Sequence, residues 1–156
     1  MLQHLFPFAL SKKIILTLGI NIRWGMTKSD VKRSETLEIY KEDKGSIYYK
    51  DKSFGHEVGI SYNFHNNELY QAIYVLNKFS RNEEVVNAYR KIIAALIDKY
   101  GKPYYRTFSD TDWRIGNTEI YAWLGNGNIA GIMYSNIKMK KEAEEAREKE
   151  KLSKRI

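Results

Sequence analysis

A chain of 156 residues with 43% apolar and 13% aromatic side chains can bury one core, which excludes a disordered main body. The absence of cysteine excludes disulfides, thiolate metal sites, a cysteine nucleophile and a lipid-modified cysteine in this chain. The net charge of +7 is spread along the sequence, so it favours contact with nucleic acid or an acidic protein without choosing between them.

The N-terminal segment, 1–23, places Lys12 and Lys13 before a mostly apolar run, 14–22. A secretory signal needs such a run, but also a small-residue cleavage site, and no Ala-x-Ala follows. The run is too short to span a membrane. It reads as a buried first strand, which goes with a cytoplasmic location. The alternative is a vestigial export or membrane-anchoring signal.

The next unit, 24–77, opens with a short helix expected over 27–35. Thr27 can cap it, with Asp30 as its reciprocal partner, because both place oxygens at unpaired helix N–H groups. Met26 and Val31 can staple the helix to the core, and Trp24 can pack beneath it. Strands follow at 36–40, 46–50, 56–64 and 68–76. In the third of these, Val58, Ile60, Tyr62 and Phe64 alternate with Glu57, Gly59, Ser61 and Asn63, a period of two that marks one buried face. "HNNE", 65–68, supplies a hairpin turn, since Asn tolerates positive φ.

The second unit, 80–135, opens with the clearest helix, expected over 82–100. Val85, Val86, Tyr89, Ile92, Ile93, Leu96, Ile97 and Tyr100 recur at three- and four-residue steps and make one apolar stripe. Ser80 and Glu83 have the spacing of a capping box. Gly101 suits a left-handed C-terminal turn, and Pro103 blocks continuation. Strands are expected at 104–108, 113–115, 119–124 and 129–134, with a hairpin turn centred on Asn126-Gly127. The tail, 136–156, is a charged, solvent-exposed helix in which Glu145/Lys149 and Glu150/Lys154 have the favoured spacing. Helix-then-meander occurs twice, so the fold class is α+β: an antiparallel sheet packed on helices, plus the charged helix.

Three histidines, His4, His56 and His65, do not have the spacing of a metal set; His56 and His65 stand at opposite ends of one strand. "GNGNIAG" joins two strands, whereas a dinucleotide fingerprint runs from strand into helix. Asp110 and Asp112 read as part of a polar turn. There is no nucleophile elbow and no phosphate loop, so no enzymatic activity, metal or cofactor is expected.

The stretch Ile22-Arg23-Trp24-Gly25-Met26-Thr27-x-x-x-Val31 resembles the opening motif of small outer-membrane assembly lipoproteins, the SmpA/OmlA family. In that family a Gly-Met-Thr turn leads into a first helix that a Gly-x-Pro turn closes. The order of elements is also similar to the tandem helix-plus-sheet repeats of β-lactamase inhibitor protein. The resemblance implies a protein-binding scaffold rather than a catalyst. Two departures stand against it. The lipidation cysteine is missing, and Gly-x-Pro follows the second helix, at Gly101-Lys102-Pro103, instead of the first.

Tyr121 and Trp123 share one strand face, and Tyr70 and Tyr74 share a face of another. Tyr and Trp are the residue types enriched at binding hot spots. These four are the expected anchors for another protein, unless the N-terminal segment or the C-terminal helix covers them. The alternative is a nucleic-acid-binding accessory protein, for which Arg106 and Arg114 are the basic candidates beside the aromatics.

Overall fold

The computed structural model describes residues 22–53 and 56–156, together with two short strands of the N-terminal segment. Those are β1 (Phe8–Ala9) and β2 (Ile15–Leu16), which join β3 (Ile22–Arg23) in a three-stranded antiparallel sheet. The apolar run 14–22 thus holds parts of two strands rather than one. His4 lies outside the described residues. Among the described residues no helix is long and apolar enough to cross a membrane.

The opening motif is built into the fold. Gly25 has φ +85° and donates its N–H to Leu69 O at 2.9 Å, and Leu69 N returns a bond to Met26 O at 2.8 Å. Only a residue without a Cβ takes that conformation cheaply. Helix α1 (Lys28–Ser34) then starts with a full capping box: Thr27 Oγ1 accepts from Asp30 N, and Asp30 Oδ2 accepts from Thr27 N. Val31 is completely buried. Trp24 packs on the core and donates Nε1–H to Thr118 Oγ1 at 3.0 Å.

The first meander is β4 (Ile39–Glu42), β5 (Ser46–Ser53), β6 (His56–His65) and β7 (Glu68–Leu76). β4 starts three residues later than expected because the buried Glu35 carboxylate takes the N–H groups of Thr36 and Leu37, at 2.9 and 3.3 Å. The β6–β7 turn carries Asn66 and Asn67 at φ 50° and 57°, as the Asn-Asn pair requires.

Helix α2 (Asn82–Tyr100) buries Val85, Ala88, Tyr89, Ile92, Ile93 and Leu96. Its N-cap is Arg81, with no side-chain cap bond, so the Ser80/Glu83 pairing does not form. At its end Gly101 takes a positive φ of 80°, as a glycine there allows, with ψ −161° outside the left-handed helical well, and its carbonyl accepts Nε1–H of the buried Trp113 at 2.8 Å. The second meander is β8 (Tyr105–Arg106), β9 (Asp110–Ile115), β10 (Thr118–Gly125) and β11 (Ile129–Asn136). Asp110 and Asp112 therefore lie on a strand, not in a turn.

Both meanders join in one antiparallel sheet of eight strands, ordered β4-β5-β6-β7-β11-β10-β9-β8. One face meets α2 and carries the core, including Ile60, Tyr62, Tyr74, Leu76, Ile120, Ile132 and Tyr134. Its buried tyrosines carry hydroxyls that need partners. Tyr62 donates to Glu35 Oε2 at 2.8 Å, and the Tyr74 ring meets the Tyr134 ring edge-on. Helix α3 (Ile137–Ser153) leaves β11 directly, capped by Asn136 Oδ1, which accepts from Met139 N. Glu150–Lys154 pairs at 2.6 Å, while Glu145 and Lys149 do not pair with each other.

Candidate functional site: the outer face of the sheet

The sheet face away from α2 is defined by cross-strand register. Three rows of side chains run across the strands. Arg114, Glu119, Ser135, Gln71, Asn63 and Ser46 form a polar row. Asp112, Tyr121, Met133, Ile73, Ser61 and Tyr48 form the middle row, and Asp110, Trp123, Gly131, Val75, Gly59 and Lys50 the third.

The polar row is a ladder of hydrogen bonds. Ser46 Oγ donates to Asn63 Oδ1, Asn63 Nδ2 to Gln71 Oε1, and Gln71 Nε2 to Ser135 Oγ, at 2.8 to 3.1 Å. Helix α3 crosses this end of the sheet. Its one buried residue is Ala143, and Lys140 pairs with Glu119 at 3.4 Å. The other two rows are largely apolar. From Trp123 to Tyr48 they cross five strands, roughly 19 Å at ~4.8 Å per strand. A concavity of about 370 Å³ opens at the β5–β7 end, bordered by Tyr40, Tyr48, Ile73 and Val75.

Trp123 lies flat against the sheet because its neighbour on β11 has no side chain. A Cβ at Gly131 would stand 2.3 Å from two indole carbons. Tyr121 stacks beside it, with ring centroids 5.9 Å apart and planes within 14° of parallel. The Tyr121 hydroxyl donates to Asp110 Oδ1, and Ser109 Oγ donates to Asp110 Oδ2 at 2.7 Å. Those bonds hold the Asp110 carboxyl below its ordinary value, and the bond to Asp110 is the main cause that pushes Tyr121 up to about 12. Asp112 is raised, first by burial and then by Glu119; its Oδ1 is buried without a hydrogen-bond partner among the described residues. The β9 end of the platform is therefore acidic.

The four expected anchors separate. Tyr121 and Trp123 stand together on this face. Tyr74 is 1% exposed on the opposite, helix-facing side, so it is a core residue and not a surface anchor. Tyr70 is the extra residue of a β-bulge: Asn63 pairs with Gln71 and Phe64 with Leu69, which leaves Tyr70 unopposed. The bulge turns it toward Ala143 and Arg147 of α3, where it is buried. A strict period of two cannot show this. Met133, Ile73, Val75 and Tyr48 are the face residues that sequence reading missed. Each sits in an ordinary alternating strand, and only the register aligns them with Trp123.

The two basic candidates are also divided. Arg114 lies on the outer face with its guanidinium 4.7 Å from the centre of the Tyr104 ring. Arg106 faces the α2 side at the β8 edge. His56 stacks on Phe79 at 4.2 Å, and among the described residues no three His, Asp or Glu side chains gather as a metal site. No family model matches this chain, and no curated protein and no solved structure matches it.

Proposed function

We propose that the chain is a non-catalytic protein-binding module whose outer sheet face receives the partner. The observation that carries it is the platform of Trp123 and Tyr121, continued by Met133, Ile73 and Val75, all half-buried on the sheet face away from α2. Rigid aromatics supply contact area at low entropic cost, and they dominate binding hot spots. The likeness of the Gly25-Met26-Thr27 opening to protein-binding scaffolds supports the same reading. Against a nucleic-acid partner stand Asp110, Asp112 and Glu119 at the platform, which repel phosphates, and the placement of Arg106 and Arg114 on opposite faces.

Affinity capture from the source cells, with wild type beside Tyr121→Ala/Trp123→Ala and Ile73→Asp, tests the assignment. Both variants are expected to lose the same set of partners while keeping a cooperative urea transition. An unchanged partner set in both would overturn the assigned face. Affinity for single-stranded DNA that falls steeply with salt would favour the nucleic-acid alternative.

A further inference from the structure

A second surface lies on the other side of the sheet, at the β8 edge. Helix α2 presents Val86, Ile93 and Ile97 along one flank, and the 106–108 segment forms the facing wall. Between them runs a groove of about 530 Å³. From Val86 to Ile97 its floor is ~16 Å long at ~1.5 Å per helical residue, about three turns. Its floor is aliphatic apart from the buried Tyr89, and its rim carries Phe108, which is 71% exposed. Tyr104 and Tyr105 are exposed in the same segment but stand toward the outer face, Tyr105 opposite Asp112 and Tyr104 against the Arg114 guanidinium, so Phe108 is the exposed aromatic on the groove side.

The charges on this groove have one sign. Arg90 projects from the helix and Arg106 from the facing strand, and neither forms an ion pair among the described residues. Asp110, the first residue of β9, is already held by the hydroxyls of Tyr121 and Ser109. A ligand whose apolar side chains enter the groove therefore meets an arginine on each side. Nucleobases gain most by stacking on open aromatic planes, whereas the aromatic of this floor, Tyr89, is buried with its hydroxyl on Thr111, which leaves Phe108 alone at the rim. Aliphatic floors with flanking charge are how amphipathic segments are held.

We infer that the groove between α2 and the 106–108 segment binds an acidic amphipathic segment of a partner protein, its apolar side chains against Val86, Ile93 and Ile97 and its carboxylates on Arg90 and Arg106. This site is separate from the outer face and stands or falls independently of it.

The test uses the full chain and three fluorescent probes: a helical peptide with Leu at i, i+3 and i+4 spacing flanked by Glu, the same peptide with Lys for Glu, and oligo(dT). Anisotropy at moderate salt should show the Glu peptide binding and the Lys peptide not. Arg90→Glu/Arg106→Glu should weaken the Glu peptide by about tenfold or more, since it reverses both rim charges. Lys138→Glu/Lys141→Glu, which changes net charge equally but on α3, should leave it unchanged. Ala94→Trp, which fills the groove without touching charge, should also weaken it. Equal weakening by the two charge reversals would reduce the effect to net charge and overturn the site. So would no binding of the Glu peptide, or oligo(dT) binding more tightly and losing affinity with Arg90 and Arg106.

Discussion

Gly131→Ala is the most direct probe of the platform. Gly131 does not use positive φ, so alanine is tolerated by the backbone and gains ~0.5–1 kcal/mol of chain entropy relative to glycine. Sterically it is not tolerated. The new Cβ would stand 2.3 Å from Cζ2 and Cη2 and 2.8 Å from Cε2 of Trp123. Carbons settle at ~3.5–4.0 Å, so the indole must withdraw by roughly 1.2 Å or more. A rigid ring cannot bend out of the way; it has to lift or change rotamer, which separates it from Tyr121. The overpacking costs ~1–3 kcal/mol. The net expectation is a loss of about 1–2 kcal/mol by urea denaturation. The same substitution in a Trp123→Ala background should be neutral or slightly stabilising, because the obstructing ring is gone. The difference between the backgrounds is a coupling energy of about 1–3 kcal/mol. Equal effects of Gly131→Ala in both backgrounds would refute the stacked geometry, and with it the platform.

Three further outcomes follow from the core and the caps. Thr27→Ala removes the acceptor for Asp30 N and should cost ~1 kcal/mol of stability, measured by the urea midpoint; no loss would show that α1 is held by Val31 alone. Tyr49 is buried and its hydroxyl has no hydrogen-bond partner among the described residues, so Tyr49→Phe should be neutral or stabilising by up to ~1 kcal/mol. A clear destabilisation would reveal a partner for that hydroxyl. Burial pushes Tyr49 up to about 12, and the bond to Asp110 does the same for Tyr121. Both are held protonated in the folded chain, so the unfolded chain releases its protons first, above its ordinary value of about 10. The stability they contribute is complete below pH 10 and is lost as pH rises toward 12. A urea midpoint that falls over that window, and falls less in Tyr49→Phe/Tyr121→Phe, is expected; a flat profile would refute the assignment.

Much of the secondary structure is legible in the sequence because the determinants are local. The stripe from Val85 to Leu96 needs only a 3.6-residue period. The Val58–Phe64 alternation needs only a period of two. Thr27 and Asp30 meet within a single turn, and Asn66-Asn67 carries its own conformational preference. Local signals also mislead where a neighbouring group competes. Glu35 draws away the N–H groups of Thr36 and Leu37, and β4 starts late. At α2 the N-cap position falls on Arg81, without a side-chain cap bond, so the Ser80 arrangement does not form.

The pairing of β7 with β11 is what the sequence leaves open. That single ladder joins the two meanders, sets Met133 opposite Ile73 and Gly131 opposite Val75, and so extends the Trp123 platform across the sheet. The bulge at Tyr70 turns that side chain toward α3, while Tyr74 goes into the core. No period along one strand encodes these outcomes, because side-chain neighbours across a sheet are separated by tens of residues in the chain. The sequence alone determined which segments are helix or strand and which faces are apolar. The tertiary structure decided which apolar face is core against α2 and which forms the outer face of the sheet.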